Sequence, residues 1–380
     1  MTFPALLLSL AVPAAPAQVL PPPPDSVAVQ ANAARKLFLI EPTAGAARCD
    51  GGPAALVRGE APFPVAALGS GGTAPLPVTL SFRIDASGRP LAIKRTDSAE
   101  WRSSRLYYSD GDVIPAFAAS RFAPGERNNC TIRFEPRIVA ASEAPSPAAM
   151  RYFVAPHARL PGEQALFRRF HPTDTNCIAA GTPKVRLRAY PAFEDIAVAP
   201  GSWTYAMAAF DIDAKGRPVH VRIIGSDGNA ALDRATVRAV ERSRFAPEAR
   251  HGCTYPYYRR SEDTLAAPTP PDQASFRPAG AQCPGGDTGW TGMPKLQFPA
   301  GFAERRIEGW AIIGYDVAPW GQTGNVRVLA AEPAAAFGEK AREIVMQARQ
   351  APSASGRGGC IDIVRFVMPK KDKEQSEDDS

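Results

Sequence analysis

The 380-residue chain carries 44 Lys+Arg against 38 Asp+Glu, a formal charge of +6, together with 39 prolines, 31 glycines and six cysteines. The basic excess is local: residues 151–260 hold 17 Lys+Arg against 10 Asp+Glu, with no aromatic-basic recognition motif, which argues against nucleic acid. No apolar run reaches the roughly 20 residues a bilayer span needs, and His157, His171, His220 and His251 stand in no spacing suited to a metal site or a catalytic triad.

Residues 1–17 contain the run PALLLSLAVPAA and end in Ala15-Pro16-Ala17, a small-residue pattern suited to signal-peptidase cleavage before Gln18. The chain is therefore expected to be exported, with no transmembrane span in the mature protein. Pro21–Pro24 favour a short, stiff polyproline stretch, and residues 18–40 read as a tether.

Residues 41–140 read as a first small domain. Leu80, Phe82 and Ile84 alternate with polar neighbours, Asp85-Ala86-Ser87-Gly88-Arg89-Pro90 supplies a turn, and Leu91 and Ile93 continue a second strand. A helix is expected around Val113–Ser120, stopped by Arg121-Phe122-Ala123-Pro124, because proline donates no amide and disfavours helical geometry before it. Residues 141–165, rich in Pro, Ala, Ser and charge, read as a linker.

Residues 166–260 repeat the pattern most clearly. Phe210 and Ile212 alternate with Asp211 and Asp213, as in a strand with one dry and one wet face, and Asp213-Ala214-Lys215-Gly216 turns the chain into Val219, Val221 and Ile223. Ser226-Asp227-Gly228-Asn229 offers helix caps, and Leu232, Ala235, Ala239 and Val240 follow at the spacing of an apolar helix face. Arg244-Phe245-Ala246-Pro247 stops that helix. A third strand follows over Cys253–Tyr258, in which Pro256 argues for an edge position.

After a second linker at residues 261–279, residues 280–369 form a third copy. It has a strand at Ile313, Tyr315 and Val317, and a hairpin lengthened by two residues around Trp320-Gly321. A helix carrying Phe337, Ala341, Ile344, Val345 and Ala348 on one face follows. The polar tail, 370–380, is expected to be disordered. The fold class is thus α+β: three tandem β-β-α-β domains.

The pair Tyr190-Pro191, the FDIDAKG hairpin, the SDGNAALDRA helix start and the RFAP stop resemble the C-terminal domain of TonB-type energy transducers. The likeness is best over Tyr190–Tyr258, moderate over Pro62–Phe134 and weaker over Phe298–Met368. The family places a membrane helix and a long spacer before this domain, whereas a short apolar run and a tetraproline stand here. Each copy has one cysteine ahead of its YP-like segment and one after its helix stop. One bridge per domain is expected: Cys49 with Cys130, Cys177 with Cys253, and Cys283 with Cys360, at nearly equal separations. Free buried thiols or a metal site are the other readings, and no zinc-type spacing supports the latter.

The resemblance implies a non-enzymatic periplasmic protein without cofactor, whose sheet edge accepts an extended peptide of an envelope protein such as an outer-membrane receptor. Carried over, the matching edge is the last strand of each copy. Thr254, Tyr255, Tyr257 and Tyr258 would give backbone and aromatic surface, and Arg259 and Arg260 charge. The alternative is a scaffold resting on murein or other anionic cell-wall components through basic faces. Arg234, Arg238 and Arg242, at i, i+4, i+8, would serve it, although a solvated helix face gives the same stripe. Asp211 and Asp213 resemble paired carboxylates but read as solvated residues beside a turn.

Overall fold

The computed structural model describes residues 36–69, 76–97, 110–155, 160–177, 181–283 and 289–369. The expected signal segment, residues 18–35 of the expected tether, His157 and the tail 370–380 lie outside the described residues. Among those described, no helix is long and apolar enough to cross a membrane.

The first repeat opens with β1 (Lys36–Ala44), β2 (Ala47–Cys49), β3 (Gly52–Ala54), β4 (Leu56–Arg58) and β5 (Val65–Gly69). The hairpin β6 (Val78–Ile84) and β7 (Pro90–Arg95) follows, then α1 (Val113–Ala119), β8 (Arg121–Phe122) and the long β9 (Arg127–Ala140). β6 pairs with β7 on one side and β9 on the other, while β1 and β2 lie along the opposite edge of β9. Phe117 of α1 packs edge-on against Phe82 of β6, with ring centroids 4.8 Å apart. Lys36–Ile40, read as the end of the tether, instead begin β1, whose Leu39 and Ile40 are fully buried.

Within the expected linker 141–165, residues 141–155 and 160–165 are no open connection. They form α2 (Ser146–Val154) and the start of α3 (Gln164–Phe167), whose Ala148, Ala149, Met150, Tyr152 and Leu166 share a core with Leu37 and Leu39 of β1. Composition misled here because alanine-rich, proline-started sequence suits a helix once a neighbour buries its face.

The second repeat comprises β10 (Val185–Leu187), β11 (Trp203–Ile212), β12 (Pro218–Ser226), α4 (Ala230–Arg242), β13 (Arg244–Phe245) and β14 (Arg250–Arg260). Its sheet order is β12-β11-β14. Asn229 caps α4 by accepting the Leu232 N–H at 3.2 Å, and Leu232, Ala235, Ala239 and Val240 are buried as their spacing predicts. The wet face predicted for β11 exists only beside the hairpin, because Thr204–Phe210 are all buried. Tyr205 and Met207 pack against α2, whereas Ala206, Ala208 and Phe210 join the core beneath α4.

The third repeat contains β15 (Trp290–Gly292), α5 (Ala300–Glu304), β16 (Gly309–Val317), β17 (Thr323–Glu332), α6 (Ala335–Gln347), β18 (Arg349–Gln350) and β19 (Arg357–Phe366), with sheet order β17-β16-β19. Its hairpin is not lengthened. Ala318 N–H donates to Gln322 O at 2.8 Å just as Asp213 N–H donates to Arg217 O at 2.9 Å, and Gly324 opposes Asp316 as Val219 opposes Asp211. Gly324 had hidden the equivalence, since it breaks the apolar alternation that marks the strand elsewhere.

Glycine is required at the turn. Gly216 has φ +79°, accepts Phe245 N–H at 2.8 Å, and would bring a Cβ to 2.2 Å from the Phe245 carbonyl oxygen. Gly88 and Gly321 meet Phe122 and Gln350 in the same way.

The three disulfides pair as expected: Cys49–Cys130, Cys177–Cys253 and Cys283–Cys360. Each ties the segment entering a repeat to the first half of that repeat's last strand. The repeats also pack on one another. The first and third share one core, to which Val78, Leu80 and Ile93 contribute alongside Phe337, Ala334 and Ala341, with Ile93 N–H donating to Pro333 O at 2.9 Å, while the second keeps its own under α4.

Candidate functional site

The last strand of a repeat offers backbone groups on two sides, and the ladder fixes which are free. Ser261 N–H donates to Ser202 O at 3.0 Å, in register with the β11–β14 pairing. Antiparallel alternation then turns Cys253, Tyr255, Tyr257 and Arg259 toward β11, and Thr254, Pro256, Tyr258 and Arg260 outward. Pro256 thus lacks its N–H where no ladder bond is lost. Neither β14 nor β19 has a strand on its outer side among the described residues.

In the first repeat the corresponding edge is occupied. β1 runs antiparallel to β9 from Phe38↔Ala140 to Ala44↔Phe134, Gly45 N–H donates to Arg133 O at 2.8 Å, and Arg48 opposes Thr131. Arg133 lies three residues after Cys130, as Pro256 lies three after Cys253. The incoming chain of the second repeat follows β14 for only half its length. Thr175 Oγ1 donates to the His251 and Gly252 carbonyls at 3.0 Å each, and Asn176 Oδ1 accepts His251 N–H at 2.7 Å. In the third repeat Gln282 N–H donates to Gly358 O at 2.9 Å.

The structure separates the side chains that the sequence had grouped on this strand. Tyr258 and Arg260 are exposed, with Tyr258 stacked on Trp203 at 5.8 Å between centroids. Tyr257 is buried and donates to Ala189 O at 2.7 Å, so it serves the core and not a partner surface. Tyr255 is half-buried beneath the Arg188 guanidinium, 4.3 Å from its ring centroid. Thr254 hydrogen-bonds His171 Nε2 at 2.6 Å, while His171 Nδ1 faces Phe167 O at 2.8 Å. Arg259 is largely buried, 3.8 Å from Glu262.

Tyr258 also borders a cavity of about 280 Å³ where the three repeats meet, lined among others by Glu60, Phe63, Arg151, Trp203, Asp227 and Arg305. No motif grouped these residues, which come from five separate stretches of chain; Asp227 stood out only as a candidate helix cap. Arg305, only 1% exposed, grips Asp112 through Nε–Oδ1 at 2.5 Å and Nη2–Oδ2 at 2.7 Å, donates to Gly201 O at 3.1 Å and lies over Phe63. It thereby joins all three repeats. Burial above all pushes the Glu60 carboxyl up, and the charge of nearby Asp227 adds to this, against the lowering influence of Ser202, Arg305 and Arg58.

On α4, Arg234 and Arg238 are exposed, and Arg242 donates to Tyr190 O at 3.3 Å. Asp211 is structural as well as solvated: it accepts Gly252 N–H at 2.9 Å and faces His220 Nδ1 at 2.9 Å. Asp316 repeats this with Gly359 N–H at 2.8 Å and Asn325 at 2.6 Å. Partial burial raises the Asp211 carboxyl, but the bonds from His220 and Gly252 outweigh it, and the bonds from Asn325 and Gly359 hold Asp316 low. Depressed carboxyls contribute stability that is present above about pH 4 and is lost as pH falls through the folded value. Urea midpoints followed from about pH 5 to about pH 2 should therefore fall less steeply in Asp316→Asn than in the parent. An identical slope would remove Asp316 from the acid response. Among the described residues no group of three His, Cys, Asp or Glu side chains could hold a metal.

Residues 189–258 and 294–367 each match the family model for the Gram-negative bacterial TonB protein C-terminal. These are the second and third repeats, found in tandem. The first repeat lies outside the matched segments but has the same order, with β6 between β7 and β9. No curated protein matches the chain.

Proposed function

We propose that this chain, which carries tandem TonB C-terminal-like domains, is an exported, non-enzymatic binding protein that recognises extended segments of envelope proteins. Outer-membrane receptor peptides of TonB-dependent transport are the first candidates. The segment adds as a strand to the outer edge of β14, and β19 offers a second edge. The observation that carries this reading is the antiparallel addition of β1 and β2 to β9, an extended segment seated on the equivalent edge of the same fold. Backbone bonds supply affinity, and Tyr258 and Arg260 supply selection. The first repeat, filled by its own chain, takes no partner. Export to the periplasm is supported by the Ala15-Pro16-Ala17 pattern and by three disulfides, which persist in oxidising compartments.

Tyr258→Pro removes an outward N–H while sparing the ladder to β11. It should weaken binding of an extended receptor-derived peptide at least about tenfold, whereas Tyr258→Ala, which keeps the N–H, should change it by less than about threefold. Equal losses in the two variants would count against strand addition. The exposed Arg234 and Arg238 favour a second reading, attachment to anionic cell-wall polymer. Repeating the titration at about 0.05 M and about 0.5 M salt separates the two, since only charge-driven attachment should collapse.

A further inference from the structure

We propose that the cavity at the junction of the three repeats is a binding site for an organic cationic group, an alkylammonium or a guanidinium. Four charged side chains line it, and two of them are already committed. Arg305 spends its guanidinium on Asp112 and Gly201 O, and Arg151 Nη2 donates to Pro62 O at 2.7 Å and Ala61 O at 3.4 Å, with Nη1 3.9 Å from Glu41.

The two carboxylates are only half used. Glu60 Oε1 accepts the Ser202 hydroxyl at 2.5 Å and lies 3.7 Å from Arg58. Asp227 Oδ1 accepts the Thr204 hydroxyl at 2.8 Å and Tyr205 N–H at 3.3 Å. Among the described residues, Glu60 Oε2 and Asp227 Oδ2 accept no hydrogen bond. Both belong to residues lining the same cavity: Glu60, largely buried, gains most from a charge-assisted donor, and the exposed Asp227 supplies a second acceptor at the cavity mouth.

The remaining wall is aromatic. Phe63 meets Trp203 edge-on at 5.2 Å, and Trp203 stacks on Tyr258. The Phe63 face already carries the Arg305 guanidinium, so what the wall adds is apolar aromatic surface beside two acceptors. That favours a cation with an alkyl stem over a bare metal ion, which would need more oxygen ligands than two carboxylates supply. The chemistry fits either a free small cation or the basic side chain of a bound polypeptide.

The test is calorimetric titration of the full chain with n-butylguanidinium chloride, with the neutral isostere n-butylurea and with the peptide acetyl-Gly-Arg-Gly-amide. The expected result is saturable binding of a guanidinium probe, at least about tenfold weaker binding of n-butylurea, and a loss of at least about tenfold in Glu60→Gln and in Asp227→Asn. Both substitutions keep the oxygen that Ser202, or Thr204 and Tyr205, already bonds, so an unchanged melting curve should accompany the loss. Tighter binding of the peptide than of n-butylguanidinium would assign the cation to a polypeptide side chain, and the reverse order to a free molecule. Absence of saturable binding by both cations, equal binding of n-butylurea, or indifference to both substitutions would overturn the proposal.

Discussion

Arg305→Ala is expected to destabilise the protein by about 3–5 kcal/mol, far more than the loss of a surface ion pair. The side chain is 1% exposed, and its removal strands Asp112, whose Oδ2 also accepts Phe63 N–H at 2.8 Å. It also takes away the bond to Gly201 O and the cation over the Phe63 ring. The damage falls on the seam between repeats. A double-mutant cycle with Asp112→Ala isolates the pair: the double variant should be much less destabilised than the sum of the singles, because the stranded carboxylate is gone. Additive losses, or a single-variant cost below about 1 kcal/mol, would show that the repeats are held by apolar packing alone.

Removing the second disulfide, as Cys177→Ala with Cys253→Ala, should cost about 4.5 kcal/mol on the chain-entropy model for its 76-residue separation. The bridge also holds Thr175 and Asn176 against β14, so its loss should loosen the first half of that edge. Because the second repeat has its own core under α4, whereas the first and third share one, the damage should stay largely local. Hydrogen exchange would test this directly. Amides of β11 and β14 should lose protection while those of β6 and β16 keep it. Uniform acceleration through all three sheets would mean that the packed repeats unfold as one unit, and an unchanged pattern would mean that the bridge carries little of the stability.

How far the site could be read in advance depended on how local each signal was. The hairpin turn at Asp213–Gly216 and the cap at Asn229 involve neighbours within a few residues, and both stand where the spacing put them. The disulfides are long-range, but threefold repetition replaced the missing contact information. Tyr255, Tyr257 and Tyr258 show where this fails. Strand periodicity puts Tyr257 and Tyr258 on opposite faces, but which face meets a core depends on Ala189, Arg188 and Trp203, all distant in sequence. The apolar run through Thr204–Phe210 was a readable sign that both faces of β11 are covered.

The amino-acid sequence by itself determined the repeated β-β-α-β order, the turn glycines, the helix faces and the cysteine pairs, because turn chemistry, capping and periodicity act over a few residues and the repeats supply their own register. Only the tertiary structure decided what fills each sheet edge and where the repeats meet. β1 lies on β9 although about 90 residues separate Ala44 from Phe134. Glu60, Asp112, Asp227 and Arg305 come together only because three cores and one helical connection pack at a single seam. Such contacts arise from burying apolar faces against one another, and the partner of a face is set by shape and area summed over the whole chain, which no short stretch records.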